Sequence, residues 1–578
     1  MRTYEVWAPY AADRVEVEVD GSAHELARCT DREGWWSGEA PDGDYAFRLD
    51  DGPPLPDPRS PWQPHGPDGP SRPVDHAAFR WSQTGWRGRP LPGAVLYELH
   101  IGTFTARGTF DAAAEHLDHL VELGVDFVEL MPVCPFPGRH GWGYDGVSLW
   151  AVHEPYGGPE GLKRFVDTAH RKGLGVVLDV VHNHLGPSGN YLPAYGPYFT
   201  DRHHTPWGSA VNLDASGSDE VRRYLIGSAL AWLRDYRIDG LRLDAVHALA
   251  DDRAIHFLEE LAHEVDTLAV RTNRPLFLVA ESDLNTPRTT APRAAGGQGL
   301  TAQWSDDFHH ALHCALTGES QGYYGDFARQ PLAALAKTLT RGFFHDGGWS
   351  AFRGRSHGRP FPVDGGGHRL LGYLQTHDQV GNRALGDRIS TSLSPGRLAC
   401  GAALVLTSPF TPMLFMGEEW GAATPWQYFT DHTDPGLAEA VRQGRRREFA
   451  EHGWAAEAVP DPQEPATVLR SVLDWTEPRR VPHAELLDWY RTLIRLRRAR
   501  PELADPDLGA VRVAYDEAAR WLVVHRGPYR VAVNLGAGEA SVPLDGTVRE
   551  IVAAFGTATA AGSAVRLGVD SVAVVLTP

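Results

Sequence analysis

The hydrophobic rhythm of the chain changes twice. Up to about residue 88, apolar and polar positions alternate: 4–7 reads Tyr-Glu-Val-Trp, 15–19 reads Val-Glu-Val-Glu-Val, and 45–49 places Tyr45, Phe47 and Leu49 on one face after the turn signal Asp42-Gly43. A period of two is that of a strand buried on one side, so a small β-sandwich is expected here. A proline-rich passage, 53–73, closes this part. It cannot be helix or central strand and reads as a semi-rigid connector. From residue 95 the rhythm becomes short, almost continuous apolar runs at 95–101, 127–132, 176–181, 240–244, 276–281, 302–305, 371–376 and 413–416. Helical patterns such as 111–123, 162–172 and 219–236 fall between them, and a long loop covers 185–217. Apolar runs of this length fit strands covered on both faces, and their alternation with helices over about 400 residues predicts a (β/α)8 TIM barrel. Beyond about residue 500 the alternating pattern returns, at 520–525, 530–535 and 571–576. The expected architecture is therefore α/β: an N-terminal β-sandwich over 1–88, a catalytic (β/α)8 barrel over 89–500 with a long loop after its third strand, and a C-terminal β-sandwich over 501–578.

Composition changes this picture in three respects. A length of 578 residues exceeds one core and agrees with several domains. The formal net charge of -19 argues against nucleic acid and anionic membrane as partners, because both need a positive surface. The 18 tryptophans suit a protein that stacks aromatic faces on sugar rings, although large cores use tryptophan too. Cys29, Cys134, Cys314 and Cys400 are far apart and form neither a disulfide framework nor a zinc motif. The most apolar run, 401–417, is broken by Ser408, Pro409 and Pro412 and reads as a buried helix end and strand, not a membrane span. The opening residues lack the apolar core of a secretory signal, so a cytoplasmic enzyme is expected.

The candidate chemistry lies at the ends of the apolar runs. The run 240–243 is followed by Asp244, two residues after Arg242, so both side chains share one face of a strand. A carboxylate at the C-terminal tip of a barrel strand points into the bowl where such barrels act. Other runs end in Asp179-Val180-Val181-His182-Asn183-His184, in Glu281 and in His377-Asp378, and the second is followed by Trp142-Gly143-Tyr144-Asp145. Three convergent carboxylates, Asp244, Glu281 and Asp378, can serve a retaining glycosidase as nucleophile, acid/base and transition-state stabiliser. Asp306 and Asp307, beside the sixth strand, admit two readings, a sugar contact or a helix cap.

The stretches 179–184, 240–244, 279–281 and 376–378, in this order and on the expected strands, resemble the four signature regions of the α-amylase superfamily, glycoside hydrolase family 13. Val6-Trp7-Ala8-Pro9 and the strand after it resemble the starch-binding-like module of branching and debranching members. The stretches 198–208, 280–285, 303–310 and 377–383 resemble a trehalose-releasing subgroup, and branching enzymes share part of the patterns at 280–285 and 303–310. The resemblance implies Asp244 as nucleophile, Glu281 as general acid/base and Asp378 as the carboxylate gripping sugar hydroxyls at the cleavage subsite. It implies Arg242 beside the nucleophile, His184 and His377 on hydroxyls of the same sugar, and Tyr144 stacked on that sugar. Trp207 is a candidate wall of the leaving-side subsites, with Tyr191, Tyr195, Tyr198 and Phe199 of the same loop. The position of Asn183 belongs to a calcium site in some members. No calcium-loop pattern accompanies it here, so no metal and no cofactor are expected. The implied substrates are maltooligosyl trehalose and related α-glucans, and the implied functional partner is the maltooligosyl trehalose synthase. A 1,4-α-glucan branching transferase is the alternative.

Overall fold

Gly240 opens the strand that carries Asp244, and its missing side chain has a packing reason. A Cβ there would lie 2.3 Å from the ring of Phe277 on the neighbouring strand. That close approach is one contact of the closed parallel barrel seen in the computed structural model, which describes residues 1–82, 85–450 and 458–578.

Six strands precede the barrel: β1 (Arg2–Trp7), β2 (Val15–Val19), β3 (Ser22–Arg28), β4 (Trp35–Ala40), β5 (Tyr45–Leu49) and β6 (Pro54–Leu55). They are hydrogen-bonded in the order β1-β4-β3-β2-β5-β6. β3 changes partner along its length: Ser22 to Leu26 pair with β2, and Ala27 and Arg28 pair with β4. The sheet thus bends around a core of Tyr4, Val6, Val15, Val17, Leu26, Trp36 and Phe47. Pro54 is tolerated because β6 is an edge strand. Trp7, Trp35 and Trp36 are buried. Trp7 packs edge-on against Tyr198 of the long barrel loop, and Tyr195 of that loop donates a 2.8 Å hydrogen bond to the Pro56 carbonyl. Tyr191 reaches Asp68 at 2.8 Å. Tyr191, Tyr195 and Tyr198 therefore brace the loop against the N-terminal region, which corrects their expected part in a substrate wall.

The barrel strands are β7 (Leu96–Leu99), β8 (Phe127–Leu130), β9 (Gly175–Val180), β12 (Gly240–Leu243), β13 (Phe277–Ala280), β14 (Ala302–Trp304), β17 (Leu370–Tyr373) and β18 (Thr411–Phe415). They close in this order, all parallel. The pattern expected as one helix over 111–123 forms two, Phe110–Ala114 and Leu117–Leu123. Two hairpins interrupt the alternation. The first, β10 (Phe199–Thr205) with β11 (Gly208–Val211), lies in what the sequence shows as loop, because its strands are polar and mostly exposed. The second joins β15 (Asp346–Ser350) and β16 (Arg355–Gly358).

Side-chain alternation fills the barrel in layers. Leu96, Phe127, Val177, Phe277, Val279, Ala302, Leu371 and Met413 form an apolar interior, topped by Trp304 and Tyr373. Two residues further along their strands, Glu98, Glu129, Asp179, Arg242 and Glu281 continue the same inward face. After the barrel, β19 (Arg512–Asp516), β20 (Trp521–Arg526), β21 (Tyr529–Asn534), β22 (Ala540–Pro543), β23 (Glu550–Phe555), β24 (Ala558–Ala561), β25 (Ala564–Leu567) and β26 (Ser571–Leu576) form a five-stranded and a three-stranded antiparallel sheet. Val523, Ala532, Val542, Val565, Ala573 and Val575 pack in the core there. No helix among the described residues is long and apolar enough to cross a membrane.

Candidate active site

The site is built on Arg242, whose side chain is fully buried in the barrel interior. Its Nη1 donates to Asp179 Oδ2 at 2.7 Å and to Asp244 Oδ1 at 2.9 Å, and its Nη2 lies 2.9 Å from Glu281 Oε2. The planar guanidinium suits this bridging because its donors are fixed in one fork. Its flat face lies over Trp304, 4.4 Å from the ring centroid. Three carboxylates thus outweigh the burial that disfavours its charge, and Arg242 is held well above the ordinary arginine range.

Asp244 stands just past the end of β12 and is almost fully buried. Both of its oxygens are pinned, Oδ1 by Arg242 and Oδ2 by the Asn183 side-chain amide at 2.7 Å. The same amide donates to the Asp244 carbonyl at 2.8 Å. Asn183 therefore acts as an orienting donor. Ala245 follows with φ +40°, a left-handed conformation unusual for a residue with a Cβ. That turn aims its N–H at Glu281 Oε2, 2.7 Å away. Glu281 Oε2 thus meets one N–H donor and the Arg242 cation, and Oε1 has no hydrogen-bond partner among the described residues.

His377 links the strands on the other side. Its Nδ1 lies 2.5 Å from Glu98 Oε1, and its backbone N–H donates to Glu98 Oε2 at 3.0 Å. Burial works against a charged ring, but Glu98 and Asp378 prevail and raise His377 to about 9. With both nitrogens protonated, Nε2 donates to the Tyr144 hydroxyl at 2.8 Å, and that hydroxyl donates to Asp179 Oδ2 at 2.6 Å. These contacts join Glu98, His377, Tyr144, Asp179 and Arg242 in one continuous chain. Burial and the nearby Asp244 push Asp179 up to about 7 against the pull of Arg242. Asp378 keeps about a third of its side chain exposed (34%) and lies 3.6 Å from His377 Nε2. Asn382 donates to its Oδ1 at 3.2 Å.

The remaining expected residues fall on the same rim. Tyr144 stacks on His377 with centroids 5.2 Å apart. His184 faces the Asn183 side-chain oxygen with Nδ1 and the Tyr144 carbonyl with Nε2, at 3.0 Å. Trp207, half exposed (50%) on the β10–β11 hairpin, stacks on the His184 ring at 4.5 Å and 7°. That contact places Trp207 beside the Tyr144 and His184 wall. All eight expected residues, Asp244, Glu281, Asp378, Tyr144, His184, Arg242, His377 and Trp207, are thus joined through direct contacts or one intermediary.

Glu98, Asp179 and Glu129 lie inside the apolar runs 95–101, 176–181 and 127–132, where the sequence alone assigns them no role. A signal for them exists: each is an acid two positions after an inward apolar residue (Leu96, Val177, Phe127) in an otherwise apolar run. Among the described residues, His203, Asp214 and Asp252 have the spacing to hold a metal ion. Arg202, 3.1 Å from Asp252 and 3.8 Å from Asp214, already supplies positive charge there.

A buried arginine holding two carboxylates at neighbouring tips of an eight-stranded parallel barrel, with a third carboxylate on the same rim, defines a glycosidase-type site of the α-amylase superfamily. The comparisons agree: the family model described as alpha amylase, catalytic domain, matches residues 77–195, and one described as a domain of unknown function matches 506–574. The chain is 55% identical to the malto-oligosyltrehalose trehalohydrolase of Arthrobacter ramosus, over 99% of both chains. An α-amylase-type crystal structure from Salmonella typhimurium superposes with a TM-score of 0.91 at 38% identity, covering 100% of this chain and 97% of that one. A 1,4-α-glucan branching enzyme of Bacillus caldolyticus is 31% identical but covers only 52% of this chain and 50% of its own. The chain belongs to the malto-oligosyltrehalose trehalohydrolase family.

Proposed function

We propose that this protein is a retaining glycoside hydrolase that cuts the α-1,4 bond next to the trehalose end of maltooligosyl trehalose and releases trehalose. The observation that carries the chemistry is the Arg242 bridge: one cation fixes Asp244 and Glu281 on adjacent strand tips. The full-length similarity to trehalohydrolases favours this substrate over a branching reaction, whose relative matches about half the chain.

Glu281 is the general acid, and Oε1 is the oxygen left free to deliver a proton, since Oε2 accepts from Ala245 and lies against Arg242. Glu281 gives that proton to the glycosidic oxygen as the bond to the anomeric carbon breaks. Asp244, held by Arg242 and Asn183, adds to that carbon and forms a β-linked glycosyl enzyme. Trehalose leaves. Glu281, now a base, takes a proton from water, which displaces Asp244 and frees the glucan with the α configuration retained. Asp378 grips hydroxyls of the sugar at the cleavage point, His184 and His377 flank it, and Tyr144 stacks on it. Trp207, stacked on the His184 ring, extends that wall toward the leaving-side subsites. The proposal includes a cytoplasmic location and a functional partner in the synthase, because the α,α-1,1 end must be made before it can be cut off.

Product analysis tests the reading. Maltooligosyl trehalose should yield free trehalose and a maltooligosaccharide that is initially α, while plain maltooligosaccharide is cut slowly. Branched or elongated glucans without trehalose would replace the hydrolase reading by the transferase one.

A further inference from the structure

We propose that Asp306 is a substrate-contacting residue on the leaving side of the cleaved bond, where its carboxyl binds a hydroxyl of the departing sugar. This rests on the trehalose-releasing reading above.

The two neighbouring aspartates divide their work. Asp307 is buried and spends its carboxylate on the protein: Oδ2 accepts from the backbone N–H of Phe344 at 2.8 Å and of His345 at 2.9 Å, and from the Asn285 amide at 2.6 Å. It ties the base of the β15–β16 hairpin to the barrel. Asp306 does none of this. It opens the helix Asp306–Thr317, yet it caps no backbone N–H of that helix. Its Oδ1 accepts a 2.5 Å hydrogen bond from the Tyr373 hydroxyl, and no ion pair or further hydrogen bond to it is found among the described residues. An aspartate has about four acceptor positions, so most of its capacity is unspent, and the side chain is only partly buried.

Its surroundings are those of the site. Burial raises Asp306 to about 7, and the like charges of Glu281, Asp378 and Asp283 add to the effect against the Tyr373 hydrogen bond. A carboxyl kept among three others with no cation has no structural ion pair to explain it. Its place in the barrel gives the side. Asp306 follows β14, between the strand of Glu281 and that of Asp378, and β14 lies directly across the closed ring from β8, whose following loop carries Tyr144. Counting round the ring, Asp306 lines the wall next to the strand of Glu281 and one strand further from that of Asp244. There it neighbours Asp283, which Arg353 of the β15–β16 hairpin holds at 2.9 Å. A sugar that has taken the proton of Glu281 and is moving away from Asp244 meets this wall. A carboxyl with a free oxygen is a strong acceptor for its hydroxyls.

The test compares substrates with and without a leaving sugar. α-Maltosyl fluoride expels fluoride and leaves the leaving-sugar subsites empty. In Asp306→Ala, and in Asp306→Asn as the shape-preserving variant, kcat/KM on maltooligosyl trehalose is expected to fall about 10- to 100-fold more than on α-maltosyl fluoride. The inhibition constant of trehalose against fluoride release is expected to rise by a similar factor. A role exerted only through Glu281 would leave trehalose inhibition where it is in the wild type. Equal losses on both substrates, or an unmoved trehalose constant with a folded variant, overturn the proposal. If trehalose is neither released nor bound by the wild type, the proposed function fails separately. Asp306 is then judged by the same ratio with plain maltooligosaccharide as substrate and maltose as inhibitor.

Discussion

Two layers of the barrel interior lie two residues apart on the same strands and have opposite chemistry. The lower layer, with Leu96, Val177, Val279, Leu371 and Met413, is hydrocarbon closely packed and sealed from water. The upper layer holds Glu98, Glu129, Asp179 and Glu281 with two cations, Arg242 and His377. The lower layer holds the strands together, and the upper layer uses the rigidity this provides. Charges would be costly to bury without fixed partners, and here the barrel fixes partners for Glu98, Asp179 and Glu281. A mutation should therefore affect stability or chemistry according to the layer it strikes.

The largest expected effect is in the upper layer. Asp244→Ala is expected to lower kcat/KM by at least about 10⁴-fold while the thermal midpoint stays near that of the wild type. A folded Asp244→Ala protein with substantial turnover would remove it from the mechanism. Arg242→Leu breaks the separation of layers, because it leaves Asp179 and Asp244 buried without their cation. A stability loss of about 3–5 kcal/mol by denaturant titration, together with loss of activity, is expected. Leu371→Ala strikes only the lower layer. It should cost about 2–5 kcal/mol of stability and leave kcat/KM per folded molecule close to wild type. A drop in kcat/KM as deep as that of Asp244→Ala would show that the layers are not separable.

A smaller effect concerns pH. The pKa of His377 is raised in the fold, so its contribution to stability is fully present below its ordinary value of 6.5 and is lost as pH rises through about 9. Glu98→Gln should move that loss to lower pH, visible as a thermal midpoint that begins to fall nearer the ordinary histidine value. An unchanged profile would mean that Glu98 does not hold the proton. The smallest expected effect is outside the barrel. Trp207→Ala removes a ring stacked on His184 and is expected to raise KM about 3- to 10-fold with kcat little changed.

The contrast between layers also explains what the sequence showed and what it hid. The runs ending in Asp244, Glu281 and His377-Asp378 were legible because an apolar strand that turns acidic at its tip is unusual. Asn183 was legible only as a position, and its use as a donor to Asp244 needs the distance between strands. Glu98 and Asp179 lay inside their runs, where a single acid reads as an exception in a core segment. Only strand register shows that Asp179 pairs with Arg242 and that Glu98 lies beside Glu129. The β10–β11 hairpin was hidden because exposed polar strands carry no apolar alternation. Tyr195 and Tyr198 looked like substrate-facing aromatics, and their burial against the N-terminal sheet is a tertiary fact without local signature.

The most direct measurement is to trap the covalent intermediate. A maltosyl donor carrying a fluorine at ring carbon 5 of the reacting glucose and fluoride as leaving group slows the second step more than the first, so the glycosyl enzyme accumulates. Peptide mass mapping is expected to find the sugar on Asp244. Attachment to another carboxylate, or steady turnover with no adduct under conditions that inactivate a known retaining α-glucosidase, would contradict the assignment of Asp244 and Glu281 as nucleophile and acid.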